Sequence, residues 1–198
     1  KWIFKLLGKH INLSGGKILD WGCGPGRLIR HMPGISNDQS SFYGTDYNKE
    51  SIQWCKNNIQ KVNFNHNNLE AILPYEDSTF DAIYGISIFT HLSKEMHFNW
   101  FNELKRVLKT GGVILITTQG ENFRPKLTGE ERKKFDQGEL IVKGNVKEGH
   151  RTYSAFHPDP FLKLVFEDID ILDKIVISPK NKGYLPQDRW VLKKKALV

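Results

Sequence analysis

The sequence predicts an α/β protein built on a doubly wound, mostly parallel sheet of seven strands that ends in an antiparallel hairpin. Three observations predict it. Short apolar runs alternate with amphipathic ones from Lys17 to Thr118, with brief connectors between them. The run Lys17-Ile-Leu-Asp-Trp-Gly-Cys-Gly-Pro-Gly-Arg27 carries a strand into Asp20 and then into glycines at every second position, Gly22, Gly24 and Gly26. A second apolar run, Phe42-Tyr-Gly-Thr-Asp46, ends on an acid roughly twenty residues further on, the separation used where neighbouring parallel strands hold a nucleoside-containing cofactor.

Each element has its own local reason. Ile3, Phe4, Leu6 and Leu7 suggest a short amphipathic helix, which Ser14-Gly-Gly16 breaks. Lys17–Trp21 reads as a buried strand. A helix is expected from Gly26 to about Met32, stopped by Pro33-Gly34. Ser41–Thr45 is the second strand, and Asn48 is placed to cap a helix over Ser51–Gln60, with Ile52 and Ile59 on one face. Val62–Asn65 is a third strand. After a turn at Pro74, Asp77 and Ser78, Phe80–Ser87 is a fourth, apolar enough for the centre of a parallel sheet.

Ser93 caps the next helix, in which Phe98, Phe101, Leu104, Val107 and Leu108 recur at helical spacing. Gly111-Gly112 is expected to end it before a fifth strand, Val113–Thr118. Residues 119–152 are then polar, basic and weakly periodic, as expected of a variable insertion or lid over a substrate site. A helix over Pro160–Phe166 and two strands, Ile169–Ile177 and Arg189–Lys194, complete one domain spanning 1–198. Ser178-Pro-Lys-Asn-Lys-Gly183 joins the last two strands as a hairpin.

Composition narrows the function classes. The apolar fraction, 39%, is that of a globular chain, and no apolar run approaches the ~20 residues of a membrane span. Lys1–Gly8 is too short and too charged for a signal-peptide core. Cys23 and Cys55, the only cysteines, read as reduced thiols in a cytoplasmic protein. No CxxC or HExxH spacing occurs, so no metal is expected. The net charge is +7, with the excess in the second half. A basic face attracts anionic substrates, nucleic acid or membranes, but acids interleave with these bases as on an ordinary solvated face.

The glycine spacing bears on the cofactor. A dinucleotide loop runs GxGxxG, whereas this one runs GxGxG after an acid, which disfavours a nicotinamide dehydrogenase. The arrangement resembles the first motif of class I S-adenosylmethionine-dependent methyltransferases. The likeness continues through Phe42-Tyr-Gly-Thr-Asp46, Leu73-Pro-Tyr-Glu-Asp-Ser-Thr-Phe-Asp81 and Glu103-Leu-Lys-Arg-Val-Leu-Lys-Thr-Gly-Gly-Val-Ile-Leu-Ile116, in family order and spacing. The resemblance implies a Rossmann-like methyltransferase fold with S-adenosylmethionine as cofactor and S-adenosylhomocysteine as product. It implies that Asp20, Gly22, Cys23, Gly24 and Gly26 hold the methionine end, that Asp46 holds the ribose and that Tyr47 packs on the adenine. Asn68-Leu69 stands where the family has an acid reading the adenine amino group. Asn68 departs from that pattern but still offers a carbonyl acceptor. Gly85, Ile86 and Ser87 are expected beside the reacting methyl.

A methyl acceptor with a hydroxyl gains from a base. His91, just after the fourth strand, is one candidate. His150 and His157, flanking Arg151-Thr-Tyr-Ser-Ala-Phe156, are the others, while His31, His66 and His97 read as background. The stretch Gly149-His-Arg-Thr-Tyr-Ser-Ala-Phe-His-Pro158 and the strand Gln187-Asp-Arg-Trp-Val-Leu192 are similar to the tail of bacterial methyltransferases of glycan synthesis. That similarity implies a small-molecule or glycan acceptor, with Tyr153 and the cations Arg124, Lys143 and Arg151 binding it through a phosphate or carboxylate. An RNA acceptor is the alternative, disfavoured because Gly85-Ile-Ser-Ile88 lacks the Asn/Asp-Pro-Pro-Tyr pattern of base amino-group methylation. A cofactor-binding but inactive regulatory subunit is another.

Overall fold

The computed structural model describes residues 1–37, 39–144, 153–179, 181 and 183–195. Its central sheet has seven strands: β1 (Lys17–Trp21), β2 (Ser41–Asp46), β3 (Val62–His66), β4 (Phe80–Gly85), β5 (Leu108–Thr118), β8 (Ile169–Ile175) and β9 (Asp188–Lys194). They lie in the order β3-β2-β1-β4-β5-β9-β8. The first five run parallel, and β9 pairs antiparallel with both β5 and β8. This is the doubly wound sheet with a terminal hairpin that the alternation of apolar runs predicts.

Strand periodicity explains the two layers. Leu19, Trp21, Ile83, Ile114, Ile116 and Trp190 face one side and pack on α4 (Lys94–Val107) and α6 (Asp159–Val165). Ile18, Phe42, Tyr84, Leu115 and Val191 face the other, against α1 (Trp2–Leu7) and α3 (Lys49–Asn58). Both long helices start where their caps predict. The Asn48 side chain accepts from the Ser51 N–H, and the Ser93 side chain accepts from the Met96 N–H. Along α4, Trp100, Phe101, Leu104 and Val107 are buried, each burial being worth about 1.5–3 kcal/mol.

Four local expectations are corrected. No regular helix begins at Gly26. Gly22, Gly24 and Gly26 all hold positive φ, at 75°, 50° and 68°, so the chain is still turning there. Only a 3-10 turn (Ile29–His31) and α2 (Met32–Ile35) follow. Pro33 opens α2 instead of stopping a helix, because a missing N–H costs nothing in a first turn. The fourth strand ends at Gly85, since Ser87 takes φ 63° and leads into a 3-10 turn, Phe89–His91. Gly111-Gly112 lies within β5. The helix ends at Val107, Leu108 already pairs with Phe80, and Gly111 at φ 76° sits where the β4–β5 register shifts.

The described part of the 119–152 segment is folded. A 3-10 helix (Glu121–Lys126) leads into α5 (Gly129–Asp136), whose start is fastened by a reciprocal capping box between Thr128 and Glu131. Then β6 (Ile141–Lys143) pairs antiparallel with β7 (Ser154–Phe156). Phe123, Leu127, Phe135, Ile141 and Phe156 form a small core of their own. Weak periodicity hid this unit, because its apolar residues come from several short elements.

Candidate active site

The strand order reverses at β1, which lies between β2 and β4, and crevices at such switch points are where open α/β sheets bind ligands. A cavity of about 380 Å³ opens there at the carboxyl ends of the strands, within the range of small-molecule sites. The glycine loop is tied to the end of β2. The N–H groups of Gly22 and Cys23 both donate to the Thr45 carbonyl, at 2.8 and 2.9 Å. Asp46, only 8% exposed, lines the cavity. Its Oδ2 accepts from the Gly24 N–H and its Oδ1 from the Asn48 N–H, both at 2.8 Å. Each oxygen keeps a further lone pair, so the carboxylate is already aimed before any ligand arrives.

Two glycines explain the shape of this cradle. A Cβ at Gly22 would lie 2.1 Å from Ile88 Cδ1, so the loop can close on Ile88 only as glycine. A Cβ at Gly24 would meet nothing within 4 Å, which leaves open space beside the N–H that holds Asp46.

The opposite wall is apolar. Trp21, Ile88, Leu92, Met96 and Trp100 line it, with the Trp21 and Trp100 rings 5.1 Å apart. Tyr47, Asn67, Asn68, Leu69 and His91 complete the lining. Asn67 is buried and fixed. It accepts from Thr45 Oγ1 at 2.6 Å and donates from Nδ2 to the Asn68 carbonyl. The Asn68 side chain is exposed at the rim. Sequence reading missed Trp21, Asn67, Ile88, Leu92, Met96 and Trp100 as lining residues. Their signal was available only as ordinary helix and strand periodicity, which also describes core.

Asp20 lies beneath the loop, 2% exposed, and is not part of the cavity wall. Burial pushes its carboxyl up to about 8, and the Tyr84 hydroxyl beside it eases this cost only in part. Asp20 Oδ2 and Tyr84 Oη lie beside each other, and neither has a further hydrogen-bond partner. Cys23 Sγ turns to the Gly24 carbonyl, and burial holds its thiol far above the reactive range. Gly85 packs on the Trp21 ring, which a Cβ would approach to 2.6 Å. Ile86 and Ser87 line a neighbouring cavity instead of this one.

His91 sits at the cavity wall with its Nδ1 2.7 Å from the Tyr153 carbonyl. A carbonyl only accepts, so Nδ1–H is the donor in this bond. The structure thus brings His91 and Tyr153 together. It does the opposite for His157, which is fully buried at 0% exposure and away from the cavity. Its Nδ1 accepts from the Gln119 N–H at 3.2 Å, and its Nε2 meets His97 Nε2 at 2.9 Å. His97 Nδ1 in turn donates to the Ser93 carbonyl at 2.6 Å. Every proton in this chain is assigned with both rings neutral. Burial pulls His97 down to about 4 and His157 well below 6.5. The catalytic expectation for His157 is corrected to a structural one, and His97 is part of it.

Arg124 and Lys143 do not line the crevice. Nε and Nη2 of Arg124 engage Asp136, at 2.7 and 2.6 Å, and Lys143 pairs with Glu131 at 2.6 Å. Their charges are met within the insertion. His150 and Arg151 lie outside the described residues.

This fold and this crevice define a nucleotide-cofactor α/β enzyme class, and comparison with known proteins narrows it. A methyltransferase-domain family model matches residues 18–112. In this domain and in its fold the chain is similar to S-adenosylmethionine-dependent methyltransferases. Among curated relatives it is 28% identical over 152 residues to a phthiotriol/phenolphthiotriol dimycocerosates methyltransferase of Mycobacterium ulcerans, covering 71% of this chain and 54% of that protein. It is 37% identical over 106 residues to a tRNA (carboxymethyluridine(34)-5-O)-methyltransferase of Arabidopsis thaliana, covering 52% and 24%. The chain thus spans about half of the first relative's length and a quarter of the second's. A methyltransferase structure from Methanosarcina mazei superposes with a TM-score of 0.73 at 19% identity, covering 96% of this chain and 97% of that one. A Burkholderia thailandensis N-methyltransferase solved with S-adenosylhomocysteine superposes at 0.68 and 14% identity, covering 97% and 76%. These two likenesses establish the fold.

Proposed function

We propose that this chain binds S-adenosylmethionine in the crevice beside Asp46 and transfers its methyl group to a hydroxyl of a small-molecule or glycan acceptor. The observation that carries the reading is Asp46 itself, a carboxylate locked by two backbone N–H groups with its free lone pairs at the mouth of a ligand-sized cavity. The residues fit the cofactor. Asp46 takes the two ribose hydroxyls, the open face of Gly24 admits backbone contact, and Tyr47, Asn68 and Leu69 sit where an adenine would lie. Asp20 lies beneath the loop with its carboxyl pushed up by burial, and a cationic group seated above the loop would draw it back toward the ionised form. When bound, the cofactor supplies a methyl group on a sulfonium already activated for displacement.

What the protein adds is alignment and a dry wall. Trp21, Ile88, Leu92, Met96 and Trp100 exclude water from the crevice. His91, its Nδ1–H held by the Tyr153 carbonyl, keeps Nε2 for the proton an acceptor hydroxyl loses. The insertion is read as a lid over the acceptor. Among the described residues no helix is long and apolar enough to cross a membrane. The two buried free thiols support a cytoplasmic setting.

Calorimetry with S-adenosylhomocysteine tests the reading. The intact protein should bind it, and Asp46→Ala should weaken binding about hundredfold, since two hydrogen bonds to a charged group are worth about 3 kcal/mol or more together. No binding to the intact protein defeats the proposal. Isotope-labelled methyl should then enter a sugar or lipid-linked fraction of a cell extract. Label confined to RNA would favour the tRNA-type relatives as guides to the acceptor. Binding with no transfer to any fraction would favour an inactive regulatory subunit.

A further inference from the structure

On the other side of Ser87 from the crevice lies a second cavity, of about 330 Å³. Ile86 and Ser87 from the end of β4 and Thr117 from the end of β5 form its floor, and Gln187, Arg189 and Trp2 form its wall. β9 runs antiparallel to β5, and the register sets Arg189 opposite Thr117, so the cation stands at the same carboxyl edge as the cofactor crevice. The Arg189 guanidinium lies over the Trp2 ring, 3.9 Å from its centroid. A guanidinium this close to an aromatic face is attracted by the ring while its N–H groups remain able to bond.

The polar groups around it are arranged to donate. The Ser87 N–H donates to Thr117 Oγ1 at 2.8 Å. The hydroxyls of Ser87 and Thr117 then both donate to Gln187 Oε1, at 3.0 and 2.6 Å. This uses the acceptor end of Gln187 and turns the amide so that its two Nε2–H groups remain as donors. No carboxylate pairs with Arg189 among the described residues, although Arg106, Arg124, Lys109, Lys143 and Lys174 all have acidic partners. Partial burial also lowers the Arg189 pKa, as expected of a cation short of counter-charge. Ser87 at φ 63° is held in an uncommon backbone region by these same bonds, a conformation that structures retain at functional turns.

We infer that this second cavity is the acceptor site and that Arg189 and Gln187 bind a carboxylate or phosphate carried by a hydroxylated acceptor such as a sugar acid or sugar phosphate. The inference rests on the methyltransferase reading above and extends it. Bidentate bonding from Arg189 and a donor pair from Gln187 match the two oxygens of either anion. Tyr184 and Trp2 at the cavity wall present apolar ring surface for the carbon skeleton. Ser87 and Ile88 are adjacent residues that line the two cavities, so the second cavity adjoins the crevice at this turn.

The test is titration of the intact protein at low ionic strength with glucose 1-phosphate, glucuronate and glucose, followed by calorimetry and tryptophan fluorescence, with and without saturating S-adenosylhomocysteine. Both anions should bind saturably and glucose should not. A stronger response to glucose 1-phosphate assigns a phosphate, and a stronger response to glucuronate a carboxylate. Arg189→Gln should weaken the anions at least tenfold while S-adenosylhomocysteine affinity stays within twofold, and Arg189→Lys should recover part of the loss. Gln187→Leu gives an independent check should Arg189→Gln lower the melting temperature. Protein that binds S-adenosylhomocysteine but neither anion overturns the inference, as does equal anion binding by wild type and Arg189→Gln. Equal weakening of the anions and of S-adenosylhomocysteine by Arg189→Gln overturns it too, by merging the two sites. Failure to bind S-adenosylhomocysteine defeats the methyltransferase reading, a result visible separately from the anion titration.

Discussion

Asp20 and His157 are equally buried polar residues, at 2% and 0% exposure, and they are treated in opposite ways. His157 has every nitrogen assigned, through Gln119 on one side and His97 and the Ser93 carbonyl on the other. Asp20 has only the Tyr84 hydroxyl beside one of its oxygens, and neither of those atoms has a further partner. A buried polar group left unmatched costs about 1–3 kcal/mol, more if charged, whereas a matched network specifies packing. The contrast separates scaffold from site. The histidine pair locks the insertion's return to α4. Asp20 keeps a cost in the free protein that a ligand can relieve. His91 stands between these cases, at the crevice wall with one nitrogen held by the Tyr153 carbonyl.

The comparison can be broken in four places, taken from the largest expected effect. His91→Asn keeps a donor at the Nδ1 position for the Tyr153 carbonyl but removes the base. Turnover should fall by about 10²–10⁴-fold, the range for a positioned acid or base, with S-adenosylhomocysteine affinity within threefold. A rate change under about threefold would place His91 with the scaffold. His157→Ala should instead cost about 2–4 kcal/mol of stability by chemical denaturation, since it opens a void and strands the His97 ring. Its acid sensitivity should fall too. Both rings titrate below 6.5 in the folded protein, so they contribute stability above that pH that is lost as pH falls toward about 4. A His157→Ala protein of unchanged stability would remove the matched half of the comparison.

Asp20 has the opposite sign. Its folded pKa is raised to about 8 from 3.8, so its contribution is complete at low pH and disappears as pH rises through about 8. Against Asp20→Asn, wild-type stability should decline by about 1.4 kcal/mol per pH unit between those values. Saturating S-adenosylhomocysteine should flatten the slope, because a nearby ammonium lets the carboxylate ionise. A slope unaffected by the ligand would detach Asp20 from the site. The smallest effect is expected at Arg124→Ala and Lys143→Ala, whose exposed pairs lie within the insertion. S-adenosylhomocysteine affinity should change less than twofold, and a tenfold loss in calorimetry would return these cations to the site.

The parts legible in the sequence are those set by near neighbours. Asn48 and Ser93 cap helices because a short oxygen side chain finds the N–H three residues on. Asp46 ends its strand beside the loop because strand and acid are contiguous. Local signals failed where a neighbour in space decided. Gly26 looked like a helix start, yet positive φ angles at Gly22, Gly24 and Gly26 keep the chain turning. Gly111 looked like a helix stop, yet Leu108 had already been drawn into β5 by pairing with Phe80. His157 read as a candidate base because nothing in its own segment announces that His97, sixty residues earlier in the chain, provides its partner.

By itself the sequence determined the α/β class, the strand ends bearing Asp20 and Asp46, and the glycine spacing that turns from dinucleotides toward S-adenosylmethionine. Those follow from side-chain periodicity and backbone freedom, which act over a few residues. Only the tertiary structure decided which buried groups are matched and which are open. Met96 and Trp100 line the crevice although their spacing reads as core. Arg124 and Lys143 are spent on Asp136 and Glu131, and Arg189 lies over Trp2 across nearly the whole chain. Periodicity tells which side of an element faces inward. Whether that side meets another side chain or an open cavity depends on where distant elements come to rest.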